Sequence, residues 1–170
     1  MVLPNIKDPH DKERARDELP QSGAGRTITT TEPKFVPNEA VAITTKNGIS
    51  FKVRLVDCVG YAVQGALGYE EDDEPRMVKT PWFDYEVPFE EAAEIGTRKV
   101  IADHSTIGIV MTTDGSISDI DRENYVIAEE RVIQELKDLN KPFLEVLNST
   151  HPNDPQTVEL ADSLTAKYGV

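Results

Sequence analysis

From residue 89 onward the chain alternates two hydrophobic periods, and this alternation constrains its fold more than any other feature. "FEEAAEIGTRKVIA" (89–102) sets Phe89, Ala92, Ala93, Ile95 and Val100 on one helical face. "STIGIVMTT" (105–113) is a continuous, β-branched run that reads as a buried parallel strand. A helix follows over about 122–139, with Val126, Ile127, Val132, Ile133, Leu136 and Leu139 as its stripe. "KPFLEVLN" (141–148) is a second strand, and 155–168 a last helix closed by Gly169 at its C′ position. Helix, strand, helix, strand, helix is a right-handed βαβ series, hence an α/β class with an open sheet flanked by helices.

The first half is less regular. "PHDKERARDELP" (9–20) is charged throughout and reads as a solvated helix, and "QSGAGRTITTTEP" (21–33) as a loop. Residues 39–46 and 49–56 flank Asn47-Gly48 and predict a β-hairpin. Ile49, Phe51, Val53 and Leu55 share one face of its second strand. Residues 60–88 are irregular, with the acidic run "EEDDEP" as a solvated loop and Trp82, Phe83 and Tyr85 as apolar cover.

Charge narrows the function. Against 18 Lys and Arg stand 31 Asp and Glu, a net charge of −13 that repels nucleic acid and anionic membrane. The lone Cys58 excludes an internal disulfide framework and fits a reducing, cytoplasmic compartment. No apolar run reaches transmembrane length, and the N-terminal sequence lacks the pattern of a signal peptide.

In open α/β sheets, ligands gather at the carboxyl ends of strands. Three polar clusters fall there: Asp57 to Gly60, Thr112 to Gly115, and Asn148 to His151. Thr29, Thr30 and Thr31 form a fourth, before the hairpin. Asp57 and Gly60 make D-x-x-G directly after "FKVRLV". In nucleoside-triphosphate switches that aspartate holds Mg²⁺ through water, and the glycine amide meets the γ-phosphate. The competing reading is an aspartate that caps its own turn. A threonine of the triplet can bind Mg²⁺ or position the attacking water, or simply fill a loop. Asn148 sits where such switches read the base, but His151 replaces the aspartate that recognises guanine, so guanine preference is not expected. The alternative for 148–151 is a helix-entry cap before Pro152. Cys58 beside Asp57 is disfavoured as a nucleophile, and His10, His104 and His151 lack metal-ligand spacing. No G-x-x-x-x-G-K-[ST] occurs, and "SGAG" (22–25) is not followed by a lysine in register.

The strings "DKERARDELPQS", "TTEPKFVPNEAV", "FKVRLVDCVGY", "TPWFDYEVPF", "EAAEIGTRKVIADHSTIGIVMTTDGS", "AEERVIQELK" and "LNSTHP" closely resemble the stage IV sporulation protein A family of endospore-forming bacteria. The likeness runs over residues 2–170. It implies a P-loop NTPase-like (GTPase-like) three-layer α/β fold and an ATPase that binds ATP and Mg²⁺. It also implies a mother-cell protein that polymerises as the basement layer of the spore coat at the forespore surface. A small amphipathic membrane-binding peptide and other coat proteins are the partners the resemblance implies. By position, Asp57 corresponds to the Walker B aspartate, and Thr30 and Thr31 to sensor threonines that serve hydrolysis. Gly60 would meet the γ-phosphate and Asn148 approach the base. The family's Walker A loop lies just upstream of a segment like "VLPNI", so 1–170 reads as an internal part of the ATPase domain, inactive alone. Its first strand would stand between the strand ending at Asp57 and the one at 105–112, leaving two unpaired edges and a tendency to associate. The alternatives are a non-catalytic polymer-interaction module and a GTP-dependent switch.

Overall fold

The computed structural model describes residues 2–18, 33–71 and 74–170. Four helices and four longer strands carry the fold: α1 Pro9–Glu18, β1 Lys34–Thr44, β2 Ser50–Asp57, α2 Phe89–Lys99, β3 Gly108–Thr113, α3 Val126–Asp138, β4 Phe143–Asn148 and α4 Pro155–Tyr168. Two two-residue ladders, Glu70–Glu71 with Glu74–Pro75 and Met77–Val78 with Val87–Pro88, punctuate the stretch read as irregular.

The hairpin turns where the sequence places it. Gly48 takes φ +81°, a conformation glycine adopts without strain, and its N–H closes the turn onto the Thr45 carbonyl at 3.0 Å. Pairing is antiparallel from Thr44↔Ser50 to Lys34↔Asp57, so β1 begins earlier than the predicted residue 39. The register shifts between Val36 and Val41, around Pro37, whose missing N–H cannot continue a ladder. Ile6, Ala15 and Val36 form a small core beneath this hairpin.

β3 and β4 pair in parallel from Gly108↔Phe143 to Thr113↔Asn148, joined through α3 as the βαβ pattern requires. Ile101, Val110, Ile133, Leu136, Leu164 and Tyr168 make the larger core. At Gly108 an added Cβ would stand 2.8 Å from Leu136 Cδ2, so glycine allows α3 to lie close against the strand. α4 begins at Asp154, whose carboxylate accepts from the Gln156 N–H, and ends at Gly169 with φ +78°. Both ends match the expected boundaries.

Three expectations need correction. β3 is buried on one face over most of its length: Val110 and Thr112 are inside, while Ile109 and Met111 on the other face are 55% and 61% exposed and that face is covered only at Thr113. The α3 stripe is narrower than read, because Ile127 and Leu139 face solvent and the buried set is Glu129, Ile133 and Leu136. On α2, Gly96 and Thr97 are buried while Ile95 is only half-buried. Among the described residues the hairpin and the β3–β4 pair are separate sheets, which matches the expected break between β2 and β3.

Candidate functional site

Between the two sheets lies a cleft of about 370 Å³. Val56, Asp57 and Gly60 line it from the carboxyl end of β2, and Gly108, Val110 and Thr112 from β3. β2 and β3 face it without pairing to each other. The cleft therefore gathers two of the three strand ends singled out in the sequence.

Asp57 is the last residue of β2 and its side chain is exposed. The next residues turn under α2. Gly60 has φ +85°, with none of the described residues within 4 Å of the place a Cβ would take, so its backbone conformation rather than crowding calls for glycine. Its N–H donates to Thr97 Oγ1 at 3.0 Å, and the Thr97 hydroxyl lies 3.2 Å from the Gly60 carbonyl, to which it donates in turn. Thr97 is 2% exposed. Burial pushes the Cys58 thiol up, and Asp57 adds to that against hydrogen bonding from Thr97 and Gly60, which keeps this sulfur a poor nucleophile. Tyr61, one residue on, lies under the Arg131 guanidinium at 4.0 Å, and Arg131 is paired with Glu94 of α2. The loop after Asp57 is thus held by both α2 and α3.

The other two strand-end clusters meet at Asp114. Its carboxylate accepts from the Ser116 N–H at 2.9 Å, Ser116 Oγ at 2.6 Å, Ser149 Oγ at 2.5 Å and Thr157 Oγ1 at 3.2 Å. Burial alone would raise its pKa, but these donors overrule it and hold Asp114 far below the usual carboxylate range. Its N–H reaches the Asn148 carbonyl at 3.3 Å. The Asn148 side chain is exposed at the end of β4, outside the set of residues lining the cleft. The His151 N–H donates to Ser149 Oγ at 2.9 Å and closes the loop, while the helix-entry cap expected within 148–151 is supplied instead by Asp154.

Beneath the cleft, Glu129 is buried at the centre of a polar knot. It accepts from Arg122 Nη2 at 2.6 Å, Thr112 Oγ1 at 2.6 Å and Tyr168 Oη at 2.7 Å. Sequence reasoning passed over Thr97, Asp114 and Glu129. "TDGS" offered a signal for Asp114, since Asp followed by Gly-Ser favours a side chain that bonds its own turn. Nothing in a helical stripe marks Thr97 or Glu129, whose partners lie 37 and 17 residues away.

Thr30 and Thr31 lie outside the described residues. Among the described residues no group of three or more His, Cys, Asp or Glu side chains is gathered as a metal cage, and no helix is long and apolar enough to cross a membrane.

A family model described as "Stage IV sporulation protein A, ATPase domain" matches residues 1–170. The chain is 58% identical over 170 residues to a stage IV sporulation protein A from Bacillus subtilis (strain 168), and 58% to one from Clostridioides difficile (strain 630). It is 57% identical to a third, from Bacillus anthracis. All of this chain and 35% of each relative are covered, so it spans about a third of their length. No solved structure matches it.

Proposed function

The chain belongs to the ATPase-domain family of stage IV sporulation protein A, and from that premise we propose that it handles the nucleotide in an ATP-hydrolysing protein of the spore coat. The observation that carries this reading is the placement of Asp57. It ends a strand at the mouth of a cleft, with the Gly60 amide three residues on and the ends of β3 and β4 tied together nearby. In a P-loop NTPase-like sheet a further parallel strand stands between β2 and β3. The cleft is where it would sit, supplied by the part of the full-length protein outside these residues. That strand and its loop would bring the phosphate-cradling amides and lysine.

An exposed single carboxylate suits Mg²⁺, which keeps several waters and takes one or two carboxylates together with phosphate oxygens. When bound, the ion neutralises charge on the β- and γ-phosphates. Asp57 would hold it through water, Thr30 or Thr31 would ligate it or orient the attacking water, and Gly60 would donate to the γ-phosphate. Asn148 would approach the base. Polymerisation, recruitment by a small membrane-binding peptide, contact with other coat proteins and a mother-cell position at the forespore surface belong to the same proposal for the full-length protein.

The test is phosphate release from ATP by the full-length protein beside Asp57→Ala, with binding of GTP in competition. We expect a loss on the order of 10²-fold or more in the variant, the scale for removing a metal-positioning group, and no preference for GTP. Equal hydrolysis by the variant overturns the role of Asp57, and preferential GTP binding favours the GTP-dependent switch. A second reading, an interaction module that packs within a polymer, is favoured by the exposed apolar face of β3. It predicts that Asp57→Ala assembles normally and that no ATP turnover accompanies assembly.

A further inference from the structure

We infer that Thr97 is a positioning residue that latches the loop after Asp57, and that the latch must open before the Gly60 amide can meet a terminal phosphate. This deepens the nucleotide reading and rests on it.

A backbone N–H points in one direction. At Gly60 it points at the Thr97 hydroxyl, 3.0 Å away on a helix residue that is 2% exposed, and therefore into the protein. The same hydroxyl reaches the Gly60 carbonyl at 3.2 Å, so one side chain engages both polar groups of that residue. A donor so engaged is unavailable to a phosphate unless the hydrogen bond is given up or the Val59–Gly60 peptide turns over. Gly60 can follow such a turn. It has no side chain, it already occupies φ +85°, and none of the described residues stands within 4 Å of its Cβ position. Its neighbours restrict how far the change spreads. Tyr61 is held under Arg131, which is paired to Glu94, and Asp57 remains the last residue of a paired strand. The rearrangement is confined to the residues between two fixed points, and Thr97 sets its resting position.

The energetic consequence has a definite sign. Opening the latch costs the protein one neutral hydrogen bond, which a phosphate replaces. If the hydroxyl is absent, the Gly60 N–H waits without that partner and the triphosphate no longer competes. A diphosphate, which has no γ-phosphate to place, is indifferent to the change.

The experiment is equilibrium binding of ATPγS and of ADP, each with Mg²⁺, to the full-length protein, wild type and with Thr97→Val, Thr97→Ser and Thr97→Ala. Thr97→Val keeps the volume and removes the hydroxyl; Thr97→Ala removes it without an added methyl, should valine pack badly; Thr97→Ser retains it. We expect Thr97→Val or Thr97→Ala to bind ATPγS roughly three- to tenfold tighter with ADP affinity unchanged, the scale of one neutral hydrogen bond. Thr97→Ser should behave as wild type. A merely structural role weakens both ligands in parallel, and that result overturns the latch, as does an unchanged ratio of the two affinities. If the wild type binds neither ligand, the nucleotide reading itself falls and the latch with it, an outcome separate from the other two.

Discussion

Removing the Arg122 side chain tests whether the polar knot beneath the cleft organises the β3–β4 half. Glu129 is 4% exposed as a residue and keeps three donors: Arg122, Thr112 and Tyr168. Burial, with acceptance by Glu129 opposing the phenolate and Lys167 acting the other way, pushes Tyr168 up to about 12, so it remains a donor at any working pH. Arg122→Ala leaves two neutral donors and no cation on a buried carboxylate. Breaking such a pair costs about 3–5 kcal/mol. The two hydroxyls remain and the Arg122 side chain is itself 15% exposed, so the low end, about 3 kcal/mol, is expected. With a urea slope of about 2 kcal/mol/M this lowers the unfolding midpoint by roughly 1.5 M, and it lowers Tm by roughly 6–12 °C. Urea unfolding followed by far-UV circular dichroism measures it. The double variant Arg122→Met, Glu129→Gln removes both charges, keeps a side-chain oxygen that accepts from Thr112 and Tyr168, and should return to within about 1 kcal/mol of wild type. A single variant within about 0.5 kcal/mol of wild type, or a double variant as unstable as the single, refutes the reasoning.

Two further outcomes follow from neighbouring features. Burial raises the Glu145 pKa, with Glu129 adding to it against Arg122 and Lys167, and Glu145 Oε1 is buried without a partner among the described residues. A carboxyl raised on folding favours the folded state below its ordinary pKa and loses that contribution as pH rises through the elevated value. Glu145→Gln should therefore stabilise the protein at pH 7, by well under about 1 kcal/mol because the side chain is partly solvated, and flatten the fall in stability above the usual carboxylate range, as read by urea midpoints against pH; an unchanged pH profile counts against it. The flanks of β2 and β3 that no described residue pairs, with Ile109 and Met111 exposed, should drive self-association of residues 1–170, and Ile109→Lys should shift sedimentation toward monomer. A clean, cooperative, monomeric melt of the unmodified chain refutes this.

Local signals were legible wherever one segment decides its own structure. Asn47-Gly48 fixed a turn, Gly169 fixed a helix end, and the two hydrophobic periods after residue 89 gave α2, β3, α3 and β4 in order. Misreadings arose where partners decide. Ile109 and Met111 look like core because β-branched and apolar runs usually have two covered faces, yet the face they share is open here. Ile127 falls on a plausible stripe, but the buried face of α3 is the one that carries Glu129, and a buried glutamate is invisible to a count of apolar positions.

The carboxylate at the end of β2 shows the same division. "FKVRLVD" followed three residues later by glycine was enough to place a strand end and a turn, and the resemblance of the surrounding strings gave Asp57 a role to test. Neither source contained the partner of Gly60. Thr97 lies 37 residues away on a helix that must first pack against the turn, so its hydroxyl reaches the amide only in the folded chain. The consequence is chemical. A D-x-x-G motif promises an amide free for phosphate, whereas the folded loop presents an amide already satisfied. Whatever engages Gly60 must do so by exchange, and the affinity of this loop for a ligand is set by a difference between two hydrogen bonds. Such a difference is small, so a ligand can displace the Thr97 hydroxyl from the Gly60 amide without rearranging the strands that hold the loop.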